Sequence, residues 1–321
     1  MVFMGTPAIA ARVLDRLVTI GDSRFHVAAA VTRPDEPRGR GQKVEASEVA
    51  QVAARHGIAT LKPLKIRTAE FLAEIKSYQP DLLVVVAYGR ILPQEILDSP
   101  RLMPINLHAS LLPRHRGAAP IEGAILAGDR ETGVTIMRIT QQMDAGPMIL
   151  KRAIPIAADD TQGSLKAKLA ELGAAAMLEA LDLIARGSAT ETPQDDALAT
   201  YTAPVKKTDA IIDWNGDAAR IERMTRAYDP WPVARTTLAG EELLIYRAAV
   251  EPQNSDGDNS DVEAALRESP GTILTVAPSL VVQCGTGRLR LVEVQAPGRK
   301  RMPAADFARG RRVRERAKLG T

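Results

Sequence analysis

Residues 82–87 read Leu-Leu-Val-Val-Val-Ala, an apolar run with no polar residue in it. A strand wetted on one face alternates polar and apolar residues. A strand that is apolar at every position fits the middle of a parallel sheet covered on both faces. Parallel neighbours need long crossover connections, usually helices, and the chain supplies them. Over the first ~190 residues, apolar runs alternate with helical patterns, the signature of an α/β fold. The runs fall at 2–4, 26–31, 82–87, 103–108, 132–139 and 148–156, and the helical patterns at 8–20, 47–56, 69–77, 117–127 and 164–186. In the last helix Leu165, Leu169, Leu172, Ala176 and Leu183 recur on one side.

The pattern changes after 188. Residues 188–207 are polar and lack a period, which reads as a linker. Beyond it come one amphipathic helix at 218–227 and short strands at 234–238, 242–249, 271–276, 279–284 and 287–294. Short strands separated by turns suggest a small β-barrel. Residues 252–262 have no core-forming pattern and read as a mobile loop. The expected organisation is a domain at 1–188, a linker at 189–207 and a second domain at 208–321.

Composition narrows the function classes. Cys284 is the single cysteine, so no internal disulfide can form, which suits a reducing, cytoplasmic setting. No run of about 18 apolar residues is present, so neither a spanning helix nor a membrane partner is expected. The net charge is only +3, but the positive residues cluster. Nine Lys and Arg lie between Arg299 and Lys318, against Asp306 and Glu315. That cluster fits either an anionic partner such as nucleic acid or a solvated basic helix end. Arg33, Arg38, Arg40 and Lys43 form a second cluster, in a Gly- and Pro-rich loop. The stretch Arg38-Gly-Arg-Gly-Gln-Lys43 fits a loop that grips phosphates, or an exposed loop with incidental charge.

Three residues can carry chemistry. Asn106 and His108 end the run at 103–108 and share a strand face, because side chains two apart point the same way. They precede the loop Ser110-Leu-Leu-Pro-Arg-His-Arg-Gly117, where ligands bind in open α/β sheets. Asp144 sits in the turn Met143-Asp-Ala-Gly146, where it either caps the turn or joins the other two. An amide, an imidazole and a carboxylate together stabilise an oxyanion and move a proton. Ser110 lacks the Gly-x-Ser-x-Gly elbow of a nucleophile and reads as a ligand-contacting loop residue. His115, between two arginines, reads as solvent- or substrate-facing, and no Cys/His spacing fits a metal. Gly5-Thr-Pro7 stands where a dinucleotide fold has Gly-x-Gly-x-x-Gly, but with one glycine only, so NAD is not expected.

On these residues the chain resembles the methionyl-tRNA formyltransferases, within the folate-dependent formyltransferase superfamily. The resemblance rests on Asn106, His108 and the extended motif Ser110-Leu-Leu-Pro-Arg-His-Arg-Gly-Ala-Ala-Pro-Ile121. Val84-Val-Val-Ala-Tyr-Gly89, Glu131-Thr-Gly-Val-Thr135, Ile212-Asp-Trp214, Pro230-Trp-Pro232 and Pro270-Gly-Thr272 extend it over nearly the whole chain. It departs from the family pattern at Ala8, Ala109, His115 and Ala145. The resemblance implies a Rossmann-like, mostly parallel sheet domain followed by a smaller OB-like β-barrel domain. It implies formyl transfer from 10-formyltetrahydrofolate, without a metal, to the methionine amine of initiator methionyl-tRNA for translation initiation, by a monomer. Asn106, His108 and Asp144 are then catalytic. Val86, Ala87, Tyr88, Gly89, Ser110, Leu111, Leu112 and Pro113 bind the folate, and Arg38, Arg40 and Lys43 bind the tRNA. The sequence also fits a related formyltransferase acting on a nucleotide sugar or purine-pathway amine, a hydrolase releasing formate, or a non-catalytic RNA-binding protein.

Overall fold

The run at 82–86 lies inside a seven-stranded sheet in the computed structural model of the chain. The structure describes residues 1–20, 25–38, 43–252 and 268–320. In chain order the elements begin β1 (Val2–Gly5), α1 (Ala8–Thr19), β2 (Ala29–Val31), β3 (Glu36–Arg38), β4 (Lys43–Glu45), α2 (Glu48–Arg55) and β5 (Ala59–Leu61). Next come α3 (Ala69–Ser77), β6 (Leu82–Val86), α4 (Gln94–Leu97), β7 (Met103–His108), β8 (Arg116–Gly117) and α5 (Pro120–Ala127). Then follow β9 (Glu131–Arg138), β10 (Met148–Pro155), α6 (Gln162–Ala185) and β11 (Tyr201–Thr202). Across the sheet the order is β10-β9-β7-β6-β1-β2-β5. The strands from β5 to β7 are parallel, and β9 runs antiparallel to both its neighbours. The chain leaves β1 towards β2 and returns at β6 on the other side. At such a reversal open α/β sheets place their ligand crevice, which here corresponds to the C-terminal ends of β1 and β6.

Local chemistry explains the elements. All residues of β6 are buried, as a strand covered on both faces requires. Val2, Met4, Leu83 and Val85 pack on one face with Phe71 and Ile75 of α3 and Ile96 and Leu97 of α4. Ser47 Oγ caps α2 by accepting from Ala50 N at 3.1 Å, and Thr68 Oγ1 caps α3 by accepting from Phe71 N at 3.2 Å. On the other face α6 meets β7: a Cβ on Gly173 would stand 2.7 Å from Leu107 Cδ1, so a side chain there must displace the end of the Leu107 side chain. Gly173→Ala is expected to leave the denaturant midpoint nearly unchanged, because the roughly 1 kcal/mol by which alanine is favoured over glycine inside a helix offsets the displacement of the Leu107 side-chain end.

Several elements differ from the sequence expectation. The strand expected at 26–31 covers only Ala29–Val31, and β5 was not anticipated. Residues 33–45 contain the antiparallel β3–β4 ribbon, while Arg40 lies outside the described residues. The helix expected from 117 starts at Pro120, which suits the first helical position. Arg116–Gly117 instead pairs with Tyr201–Thr202. The chain divides into two compact units, the first comprising Met1–Pro120, Glu131–Pro155 and Leu165–Ala203. The second comprises Ile121–Arg130, Ile156–Ser164 and Pro204–Thr321. Residues 189–203 of the expected linker thus fall within the first unit.

The later elements of the second unit are α7 (Ala218–Ala227), β12 (Ala234–Leu238), β13 (Glu241–Val250), β14 (Ile273–Thr275), β15 (Leu280–Gln283), β16 (Arg288–Gln295), β17 (Met302–Pro303) and α8 (Ala304–Gly310). The strands form an antiparallel sheet ordered β12-β13-β16-β15-β14, with β17 on β16. Trp214, Ile221, Leu243, Ile245, Leu289, Leu291 and Phe307 share its core. The C-terminal residues bond to both edges: Arg316 N donates to Ile273 O at 2.8 Å, and Gly320 N to Thr237 O at 2.9 Å. Covering both edges removes the unpaired rows that invite aggregation. Val313, Ala317 and Leu319 pack on this core, while Arg309, Arg311, Arg312, Arg314, Arg316 and Lys318 are exposed. Burial, reinforced by Asp217, pushes the Cys284 thiol up to about 12, so it is no nucleophile. Of the loop expected at 252–262, all but Pro252 lies outside the described residues. Among the described residues no helix is long and apolar enough to cross a membrane.

Candidate active site

Strand β7 carries Asn106 and His108 to the edge of the crevice. Alternation puts Leu107 against α6 and turns its two polar neighbours to the opposite face. Val85, the cross-strand partner of Asn106, packs on that same face. Asn106 is half-buried, and its side-chain amide makes no hydrogen bond to another described residue. Both its N–H donors remain available.

His108 is 6% exposed and fixed at one ring nitrogen. Its Nε2 donates to the His115 carbonyl at 2.8 Å. A carbonyl only accepts, so Nε2 carries the proton and the neutral ring keeps its lone pair on Nδ1. Nδ1 lies 3.6 Å from Asp144 Oδ2. The His115 carbonyl therefore sets the tautomer, and the Asp144 carboxylate faces the unprotonated nitrogen. Asp144 Oδ2 accepts from Gly117 N at 2.8 Å. Asp144 itself has φ +51°, the left-handed region that non-glycine residues rarely occupy. Two residues on, a Cβ at Gly146 would collide with the Arg138 carbonyl, so the turn needs glycine there.

The loop after β7 is held from within. Ser110 Oγ donates to Arg114 O at 2.6 Å, and Thr135 Oγ1 donates to Ser110 O at 2.7 Å. Leu112 N donates to Thr135 Oγ1 at 3.1 Å, and the Leu112 side chain is buried with Met137 and Met148. Ser110 and Leu112 thus shape the loop, with the Ser110 hydroxyl bonded within it and the Leu112 side chain packed inside. Leu111 and Pro113 remain half-exposed. His115, expected to face solvent or substrate, is buried, and its carbonyl meets His108. At the end of β6, Val86 and Tyr88 are buried while Ala87 and Gly89 are exposed. The Tyr88 hydroxyl is buried with no hydrogen-bond partner among the described residues. Burial pushes its pKa up, offset in part by Arg90 and Arg33. Arg38 and Lys43 are register partners across the β3–β4 ribbon.

A further set of residues carried no signal in the sequence. Thr200 Oγ1 accepts from His115 N at 2.8 Å, and Thr200 O accepts from Arg116 N at 2.8 Å. Gln194 reaches the Asp144 turn, and Arg116, though charged, is fully buried. The stretch 191–202 is polar without period, so neither apolar spacing nor a motif marked it.

The family profile described as formyl transferase matches residues 1–181, and that for the formyl transferase C-terminal domain matches residues 204–312. A methionyl-tRNA formyltransferase of Methylococcus capsulatus is 46% identical over 308 residues, covering 96% of this chain and 95% of that protein. The chain belongs to the methionyl-tRNA formyltransferase family. As a member of that family it is an enzyme, a formyltransferase. Its fold is shared with WlaRD, a sugar 3N-formyl transferase crystallised with dTDP and 5-N-formyl-THF. The two are 15% identical with a TM-score of 0.65, covering 93% of this chain and 98% of that one. It is also shared with HypX from Aquifex aeolicus in complex with tetrahydrofolic acid, at 20% identity and a TM-score of 0.60. There the alignment covers 96% of this chain but 46% of the longer one. At such identities these two structures bear on the fold alone. In a methionyl-tRNA formyltransferase family member, an unengaged amide beside an imidazole and a carboxylate offers two things. One is a donor for an oxygen gaining charge, and the other is an acceptor for a proton.

Proposed function

We propose that this chain transfers a formyl group from 10-formyltetrahydrofolate to the amino group of methionine on initiator methionyl-tRNA, in the cytoplasm and as a monomer. The product is N-formylmethionyl-tRNA for translation initiation. The observation that carries this reading is the 46% identity to a methionyl-tRNA formyltransferase across 96% of the chain. The crevice beside β6 suits the folate: Ala87 and Gly89 expose backbone there, and the orphaned Tyr88 hydroxyl offers a polar atom for a pterin-like ring. Leu111 and Pro113 supply apolar contact, while Val86, Tyr88, Ser110 and Leu112 give the site its shape.

When bound, 10-formyltetrahydrofolate supplies the formyl carbon and a nitrogen leaving group. An α-amine has a pKa of about 7.7–8.0, so a usable fraction is neutral and nucleophilic near pH 7. Asn106 donates an N–H to the formyl oxygen as it gains charge. His108 accepts at Nδ1 the proton that the amine releases, and Asp144 stabilises the resulting imidazolium. The same proton is then available to the leaving nitrogen.

We assign tRNA contact to Arg38, Arg40 and Lys43 and to an OB-like barrel at 208–321 with its exposed arginines. Arg40→Ala is expected to weaken tRNA binding with folate affinity unchanged. Removing one phosphate interaction lowers the salt slope of binding by about 0.7–0.9. Titrations of wild type and variant across a salt series check this, and identical curves reject it. The function itself is tested by incubation with 10-formyltetrahydrofolate and methionine-charged tRNAs. Initiator tRNA is expected to gain formylmethionine and elongator tRNA little; no formylation of either rejects the reading.

A further inference from the structure

We infer that Gln194 is a positioning residue of the reaction centre, which holds the Asp144 carboxylate beside His108 by tying the Asp144 turn to buried Arg116. The inference rests on the role given to Asp144 above. Gln194 Nε2 donates to two backbone carbonyls, Asp144 O and Gly146 O, each at 2.8 Å. Its Oε1 accepts from Arg116 Nε at 3.0 Å and Nη2 at 2.9 Å. Two donors and two lone pairs are the whole capacity of a carboxamide, and all are used. The partners also fix the orientation of the amide, since carbonyls only accept and a guanidinium only donates.

The anchor on the far side is rigid. Arg116 is 0% exposed, and its Nη2 also meets Asp196 Oδ1 at 2.7 Å while Nη1 donates to the Tyr201 hydroxyl at 3.2 Å. Its backbone neighbours hold the reacting groups: His115 O accepts from His108 Nε2, and Gly117 N donates to Asp144 Oδ2. One three-residue segment therefore positions the imidazole and the carboxylate together. Gln194 completes the frame by binding the backbone of the carboxylate's own turn to the side chain of that segment. Asp144 needs such support, because a residue at φ +51° persists only where its surroundings over-determine it.

Gln194→Glu separates positioning from bulk packing. It keeps the length and an acceptor for Arg116, but sets a carboxylate oxygen against two carbonyls that need donors. In the full chain, kcat for formylation at saturating substrates is expected to fall by up to about 10²-fold, the cost of displacing a reacting group by roughly 1 Å. KM values stay within about 2-fold, because Gln194 does not touch substrate. The limb of the kcat–pH profile that reports His108 is expected to move. A folded variant with wild-type kcat and pH profile overturns the inference. So does a parallel loss of kcat, substrate affinity and Tm with an unmoved pH limb. Should the glutamate variant fail to fold, Gln194→Met, uncharged and of similar length, is read by the same criteria. Asp144→Asn, assayed alongside, separates the two claims: full turnover there removes the role of Asp144, whereas a slow Asp144→Asn beside a normal Gln194 variant removes this inference alone.

Discussion

His108→Gln is expected to lose about 10²–10⁴ in kcat while both substrates bind near normally, the usual contribution of a positioned acid–base group. Glutamine is the informative replacement. His108 is 6% exposed and its Nε2–H satisfies the buried carbonyl of His115. Alanine would strand that carbonyl, at a cost of about 1–3 kcal/mol, and confuse folding with chemistry. A glutamine amide nitrogen overlays Nε2 and offers a replacement donor to the His115 carbonyl, but no basic nitrogen to face Asp144. Steady-state kinetics against methionyl-tRNA check the outcome, and turnover equal to wild type removes the proton-transfer role.

Asn106→Ala is expected to lower kcat by about 10²–10³, the usual effect of deleting one donor to a developing oxyanion. Here stability and rate separate cleanly. The Asn106 side chain is half-buried and engages no other described residue, so its removal leaves no buried group unpaired. The unfolding free energy is expected to change by no more than about 0.5 kcal/mol. Paired thermal melts and kinetics read both quantities. A loss of activity that tracks a fall in Tm would mean that Asn106 is structural.

Much of the sheet was legible because burial leaves a pattern. The apolar run ending at Val86 reads directly as a covered strand, and the polar Asn106 and His108 at the end of β7 stand out against it. Helix α7 follows from its amphipathic spacing. Strand β5 did not, since Ala59-Thr-Leu61 is short and only half-buried at an edge, where little apolar contrast survives. The motif around Ser110 marks a loop but not the direction of its side chains. Ser110 and Leu112 turn inward because Thr135 and the Met137–Met148 pair hold them, and those partners are remote in sequence. Arg116 is the clearest miss. An arginine in a basic loop reads as a surface charge, yet Gln194, Asp196 and Tyr201 bury it completely. Its partners lie in a stretch that looks like a linker because their hydrogen bonds go to backbone and guanidinium groups, which leave no apolar periodicity.

Single-turnover formylation of initiator methionyl-tRNA, run with wild type, His108→Gln and Asn106→Ala at saturating 10-formyltetrahydrofolate, isolates the chemical step from binding and release. A rate constant at least about 10²-fold lower is expected in each variant, with the dissociation constant for tRNA unchanged. A chemical step as fast as wild type in either variant, with only binding weakened, would contradict the roles assigned to His108 and Asn106.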